Sequence, residues 1–191
     1  MAFFHARTAL YALLALVTIT VFTGQHLVPP MDRDESRFAQ ASRQMLKSGD
    51  YVTIRFQDEL RAKKPAGIYW MQSASAALLG EEDIASYRFV NLLALLASIF
   101  MLYHIGLQFY APAIALAASA AFTCGFLVLA EAHLAKTDTV LMLVVMVQQW
   151  ALMRIYLDRE KATVKPSKHW IFFWIALAAG ILVKGPIAPA I

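Results

Sequence analysis

The chain has 191 residues, of which 60% are hydrophobic and 16% charged, whereas a soluble domain carries about 25% charged residues. The formal net charge is +4, but Lys and Arg are scattered among acids rather than gathered in a stripe that tracks phosphates, which excludes a nucleic-acid binder. The single cysteine, Cys124, excludes an intrachain disulfide and, set in an apolar stretch, is expected to be an inert buried thiol.

The first apolar block runs from about Thr8 to Val28 and is closed by Pro29-Pro30. Arg7 and a Leu/Ala-rich core also suit a signal peptide, but no small-x-small cleavage site follows, so a retained first helix is expected. A polar stretch then extends from Pro29 to Asp83. Its first part, Asp32 to Ser48, repeats Phe38, Ala41 and Met45 at helical spacing, with Arg37, Gln40, Arg43 and Gln44 on the other side. Asp32 and Glu35 have the spacing of a capping box, and Gly49 is placed as the stop. From Tyr51 to Phe56 the pattern alternates, with Val52, Ile54 and Phe56 on one side, as in a short extended segment. Lys64-Pro65 keeps Lys64 extended. A second helix is expected from Gly67 to Leu79, with Tyr69 and Trp70 suited to a membrane interface.

Four more apolar blocks lie near Ile84–Leu107, Pro112–Ala130, Asp138–Leu157 and Trp170–Pro189. A block of about 18 or more such residues can cross a bilayer core as a helix. The blocks are uniformly apolar rather than alternating, which excludes a β-barrel. The fold expected is therefore all-α: a polytopic transmembrane bundle of five spans, with two interfacial amphipathic helices in the first loop. Charge counting does not orient it. The Asp158–His169 connection carries Arg159, Lys161, Lys165 and Lys168, but the loop from Pro29 to Asp83 is also rich in Lys and Arg.

Five spans place Asp34, Lys64 and Asp138 on one face of the membrane, and Lys184 approaches the same face. Ionisable groups at a bilayer are costly, so their convergence suggests a polar cavity. Each also has a plainer reading. Asp34 and Glu35 can serve a helix dipole, Lys64 and Lys184 can snorkel, and Asp138 can open a span. Glu131, His133 and Asp138 match no established metal-ligand spacing, so no metal residue is assigned.

Taken in order, these features resemble a known family. Asp34-Glu35-Ser36-Arg37-Phe38-Ala39 leads into a helix ending Met45-Leu46-Lys47-Ser48-Gly49-Asp50. Lys64-Pro65, Tyr69-Trp70, Ala135-Lys136-Thr137-Asp138 and Lys184-Gly185-Pro186 follow. The series is similar to glycosyltransferase family 39 in its broad bacterial sense. That group includes the aminoarabinose transferases of lipid A and is related to protein O-mannosyltransferases. The resemblance implies the GT-C fold, with about a dozen transmembrane helices, in the bacterial inner membrane and with the site facing the periplasm. It implies a polyprenyl-phosphate sugar donor and a glycolipid or protein acceptor. By motif, Asp34 matches the catalytic aspartate, Asp138 a second acid of the cavity, and Lys64 the lysine on the carrier phosphate. Lys184, Glu35, Arg37 and Tyr69 fall within the matching segments as further candidates for binding the substrate or carrier phosphate. Ala66 and Gly67 stand where the family often has proline and leucine. Lys63 stands where aminoarabinose transferases can have a metal-binding glutamate, so no cofactor is assigned and a divalent metal is left open.

These residue types fit the implied chemistry. A carboxylate can orient or deprotonate an acceptor. A lysine can balance the negative charge that grows on a departing lipid phosphate during direct, inverting displacement. The competing reading is a transporter or lipid flippase with an ionisable relay. Such proteins usually show internal repeats and charges at mid-membrane, whereas here the charges lie at one face. The chain stops inside an apolar segment and is expected to be the N-terminal part of a longer enzyme, inactive by itself.

Overall fold

A computed structural model describes residues 2–160 and 168–190. Residues 161–167, which include Lys161 and Lys165 of the expected polar connection, lie outside the described residues. The elements are α1 (Ala2–Leu27), α2 (Arg33–Ser48), β1 (Arg55–Phe56), β2 (Glu59–Leu60), α3 (Gly67–Leu79), α4 (Ile84–Gly106), α5 (Pro112–Thr123), α6 (Phe126–Ala132), α7 (Asp138–Glu160) and α8 (His169–Lys184). A 3₁₀ segment, Gly185–Ala190, follows α8.

Four stretches are long and apolar enough to cross a membrane: His5–Leu27, Ile84–Gly106, Asp138–Asp158 and His169–Ala190. Helices α5 and α6 together make a fifth, bent by 64°. The protein is a multi-pass membrane protein. The sequence reads one straight span here; the structure breaks it at Cys124-Gly125. Ser119 and Thr123 turn their hydroxyls back onto the carbonyls four residues earlier, which loosens a helix. Gly125 is extended and starts α6 afresh. Cys124 is exposed at this corner rather than buried.

Helix α4 sits in the middle. On one side it packs with α1, α5 and α6 through Leu10, Val17, Val21, Leu92, Leu95 and Ile99. On the other, Ala94 joins a core made by Phe38, Met45, Ile68, Val140 and Val183, from α2, α3, α7 and α8.

Between the first two spans lies the loop that the sequence reads as interfacial. Helix α2 buries Phe38, Ala39, Ala41 and Met45. Gly49 ends it in the left-handed region at φ 68°, donating its N–H to the Met45 carbonyl at 3.1 Å. The expected extended segment shrinks to a two-residue hairpin pairing Arg55 with Leu60 and Phe56 with Glu59, and Val52 is 85% exposed. Helix α3 has the expected limits, but beside Ile68, Tyr69 and Ala76 its buried face is polar. It buries Gln72, Ser73 and Ser75 and exposes Leu78 and Leu79. Its outer face, with α4 and α7, lines an apolar groove of about 540 Å³. Gly67 starts α3 against α8: a Cβ there would sit 2.6 Å from the Leu182 carbonyl oxygen, which explains glycine where the family often has leucine.

Candidate active site

The N-terminal turn of α2 sets two acids in opposite environments. Asp32 caps the helix, its Oδ1 accepting from the Asp34 N–H at 2.7 Å. The expected capping box does not form, because Glu35 is engaged elsewhere. Glu35 and Arg88, both 0% exposed, pair inside the protein: Arg88 Nε donates to Glu35 Oε1 at 2.6 Å and Nη2 to Oε2 at 3.1 Å. Arg88 also donates to the carbonyls of Gln25 and Val28, at 2.6 Å each. Glu35 accepts from the Ala135 N–H at 2.9 Å. Gln25 donates back to the carbonyls of Arg88 and Ala132. Gln72 accepts from Ser42 and donates to the Ala135 carbonyl. Asn91 donates to the carbonyls of Leu134 and Lys136. This buried lattice joins the end of α1, the starts of α2 and α4, the middle of α3 and the 133–137 loop. Glu35, expected among the phosphate-binding residues, is therefore enclosed by Arg88 and offers no surface to a ligand.

Arg88 escaped sequence reasoning, although a signal was present. An arginine in the second turn of an otherwise apolar span is costly unless paired. Glu35 also stands one turn before Phe38 and Ala39, on the stripe that α2 buries.

Asp34, by contrast, is 61% exposed on its side chain, with Arg37 3.7 Å away. Tyr69, expected at the interface, is buried instead. Arg61 Nε donates to its hydroxyl at 2.9 Å, and its ring lies 5.4 Å from that of Phe38. Burial pushes the Tyr69 phenol up; Arg61 pulls it down, and the nearby charge of Asp34 adds to the rise. Asp34, Arg61 and Tyr69 thus belong to one neighbourhood.

Asp138 opens α7, as the spacing predicts, and pairs with Lys184 at the end of α8. It lines a cavity of about 180 Å³ with Glu131 and Thr139. Pro65 reaches this corner as well: a Cβ on Gly185 would lie 3.9 Å from the Pro65 ring. The Lys64-Pro65 and Lys184-Gly185 segments therefore meet across the fold. Lys64 is half-buried, and no hydrogen bond or ion pair engages it among the described residues. Lys136 pairs with Asp32, tying the loop before α7 to the cap of α2. The Lys136 ammonium and the Asp34 N–H hold the Asp32 carboxyl below its usual range. Among the described residues no group of three or more His, Cys, Asp or Glu side chains could hold a metal ion.

The chain is similar to known proteins in sequence and in fold. The family model described as dolichyl-phosphate-mannose-protein mannosyltransferase matches residues 63–191. The undecaprenyl phosphate-alpha-4-amino-4-deoxy-L-arabinose arabinosyl transferase of Aeromonas salmonicida is 29% identical over 167 residues, covering 85% of this chain and 29% of its own. The protein of the same name from Pectobacterium atrosepticum is 26% identical over 188 residues, covering 96% of this chain and 32% of its own. ArnT from Cupriavidus metallidurans in the apo state superposes with a TM-score of 0.82 at 22% identity, over 97% of this chain and 34% of that one. The same protein bound to undecaprenyl phosphate superposes with a TM-score of 0.77 at 26% identity, over 94% and 33%. The chain thus spans about a third of the length of these relatives. The fold is the polytopic bundle of the GT-C glycosyltransferases, and the chain belongs to the dolichyl-phosphate-mannose-protein mannosyltransferase family.

Proposed function

We propose that the full-length protein is a membrane glycosyltransferase that moves a sugar from a polyprenyl phosphate to a lipid A-type glycolipid or a protein. The observation that supports this reading is the meeting of segments far apart in sequence: Asp32 at the start of α2 pairs with Lys136, two residues before Asp138, Asp138 pairs with Lys184, and Pro65 lies beside Gly185. Asp34, the exposed acid, would orient or deprotonate the acceptor. Lys64, without a protein partner among the described residues, would bind the carrier phosphate and balance charge as it departs. Lys184 and Arg37 add positive charge nearby, and each already faces a carboxylate, Asp138 and Asp34. Asp138 is the second acid of the cavity. The apolar groove beside α3 offers the surface that a prenyl chain needs. The names and titles of the relatives, which specify undecaprenyl phosphate, support this donor class.

In this reading the protein lies in the bacterial inner membrane with the site in the periplasm. The full-length protein in proteoliposomes should transfer labelled 4-amino-4-deoxy-L-arabinose from its undecaprenyl phosphate to lipid A. No transfer to lipid A or to membrane protein from any undecaprenyl phosphate sugar would sink the reading. In a Cys124→Ser background, cysteines at Ser48 and Gln57 should react with an impermeant thiol reagent in spheroplasts, and one at Lys168 should not. The reverse pattern would overturn the orientation.

A further inference from the structure

Arg61 is held more firmly than a loop cation needs to be. Its N–H donates to the Ile54 carbonyl at 2.8 Å, which fixes its backbone beside the β1–β2 hairpin. Its guanidinium lies 5.3 Å from the centre of the Phe38 ring and 5.9 Å from that of Phe56. Its Nε donates to the Tyr69 hydroxyl at 2.9 Å. Tyr69 is itself buried at the start of α3, so this anchor does not swing.

Three fixed points therefore orient the plane of the guanidinium. The two terminal nitrogens are left over. Neither has a protein partner among the described residues, and neither is a buried orphan, so both remain open to solvent. Asp34 is near enough to influence Tyr69, yet it pairs with Arg37 and not with Arg61. A planar fork with two open N–H groups is the shape that grips a phosphate through two oxygens, and fixing it beforehand reduces the entropy lost on binding. Three residues along the same loop stands Lys64, also without a protein partner.

We propose that Arg61 is a second phosphate-binding residue of the site, holding the lipid-linked phosphate of the carrier together with Lys64. The inference rests on the polyprenyl-phosphate reading above. Arg61 grips the phosphate as a preset fork, and Lys64 follows it as a mobile point charge. The hairpin and the Phe38–Phe56 pair serve as the mount for the fork, which gives a role to a short β element that the bundle does not otherwise need.

The test is binding of undecaprenyl phosphate and of undecaprenol to the full-length protein in nanodiscs, with inorganic phosphate as competitor. Arg61→Gln should weaken undecaprenyl phosphate about tenfold or more, the usual scale of a charge-assisted contact, and change undecaprenol less than about twofold. Inorganic phosphate should compete for wild type and fail for the variant. Equal losses for both lipids would mean that Arg61 only supports the loop, and would overturn the proposal. So would unchanged undecaprenyl phosphate binding in a folded Arg61→Gln protein. If that variant does not fold, Tyr69→Phe carries the test: it frees Nε and should weaken undecaprenyl phosphate severalfold, and no change overturns the proposal. Wild type that fails to bind undecaprenyl phosphate at all would instead refute the donor reading.

Discussion

Asp34 and Glu35 are neighbours on the first turn of α2, yet they end in opposite surroundings. Glu35 points inward, where Arg88, Gln25, Gln72 and Asn91 tie five segments together without solvent. Asp34 points outward, toward a neighbourhood of charges only partly paired. The first cluster is closed to solvent and paired at every charged group, with only the amide oxygens of Gln25 and Asn91 left over; the second is open. A closely paired buried network holds geometry, because each member is costly to move. A group with open valences is the one able to meet a substrate. One helix start thus carries both kinds of acid, and the scaffold separates the enclosed one from the exposed one by a single residue.

Breaking the inner cluster should have the largest effect. Arg88→Met leaves the buried Glu35 carboxyl without its partner and strands the carbonyls of Gln25 and Val28. A loss of about 3–5 kcal/mol is expected for removing one member of a buried pair. Thermal unfolding of the full-length protein in detergent measures it. Glu35→Gln should cost less than Arg88→Met, since a glutamine oxygen can still accept from Arg88. A Glu35→Met/Arg88→Met double variant should not recover stability, because the stranded carbonyls remain. A double variant as stable as wild type would show that the cluster is merely an ion pair.

The outer cluster should behave in the opposite way. Asp34→Asn should leave stability within about 1 kcal/mol of wild type, the scale of a helix-dipole charge. It should also keep carrier binding, yet lower transfer about a hundredfold or more, as expected for a general acid–base residue. Turnover equal to wild type at saturating donor would remove Asp34 from the chemistry and abolish the contrast.

Asp32 sharpens the comparison with the smallest effect. Asn caps a helix about as well as Asp, so Asp32→Asn loses only the attraction of Lys136. The pair is part-exposed, and under about 1 kcal/mol is expected. The Asp32 carboxyl is held below its usual range. Its contribution is therefore complete above the ordinary carboxylate value of about 3.9 and is lost as pH falls through the lower folded value. Wild type and Asp32→Asn should differ slightly at pH 7 and converge in stronger acid. A gap that widens on acidification would contradict the assigned partner.

Part of this was legible in the sequence. The apolar blocks and Pro29-Pro30 mark the spans, and the limits of α3 follow from Lys64-Pro65 and Gly80. Five spans lead to the expectation that Asp34, Lys64 and Asp138 share a face that Lys184 approaches, and the structure pairs Asp138 with Lys184. What local pattern could not show depends on tertiary partners. Tyr69 looks interfacial until Arg61 and Phe38 enclose it. Gln72 and Ser73 look solvent-facing until α2 and the 133–137 loop bind them, and Ser75 until it donates to the Ser86 carbonyl of α4. Apolar composition continues through Cys124-Gly125, so hydropathy gives no sign of the bend there.

The polar residues that α3 buries also bear on how the protein is assembled. Gln72 is bound from one side by Ser42 and from the other by the Ala135 carbonyl, while Ala135 also donates to Glu35. Ala135 is translated more than sixty residues after Gln72. The seat of α3 therefore stays incomplete until the bent third span has been inserted. In the interval its leucine face can rest on the bilayer, as an interfacial helix does. The 133–137 loop closes this seat from the side opposite Ser42, and it is the last of these segments to leave the ribosome.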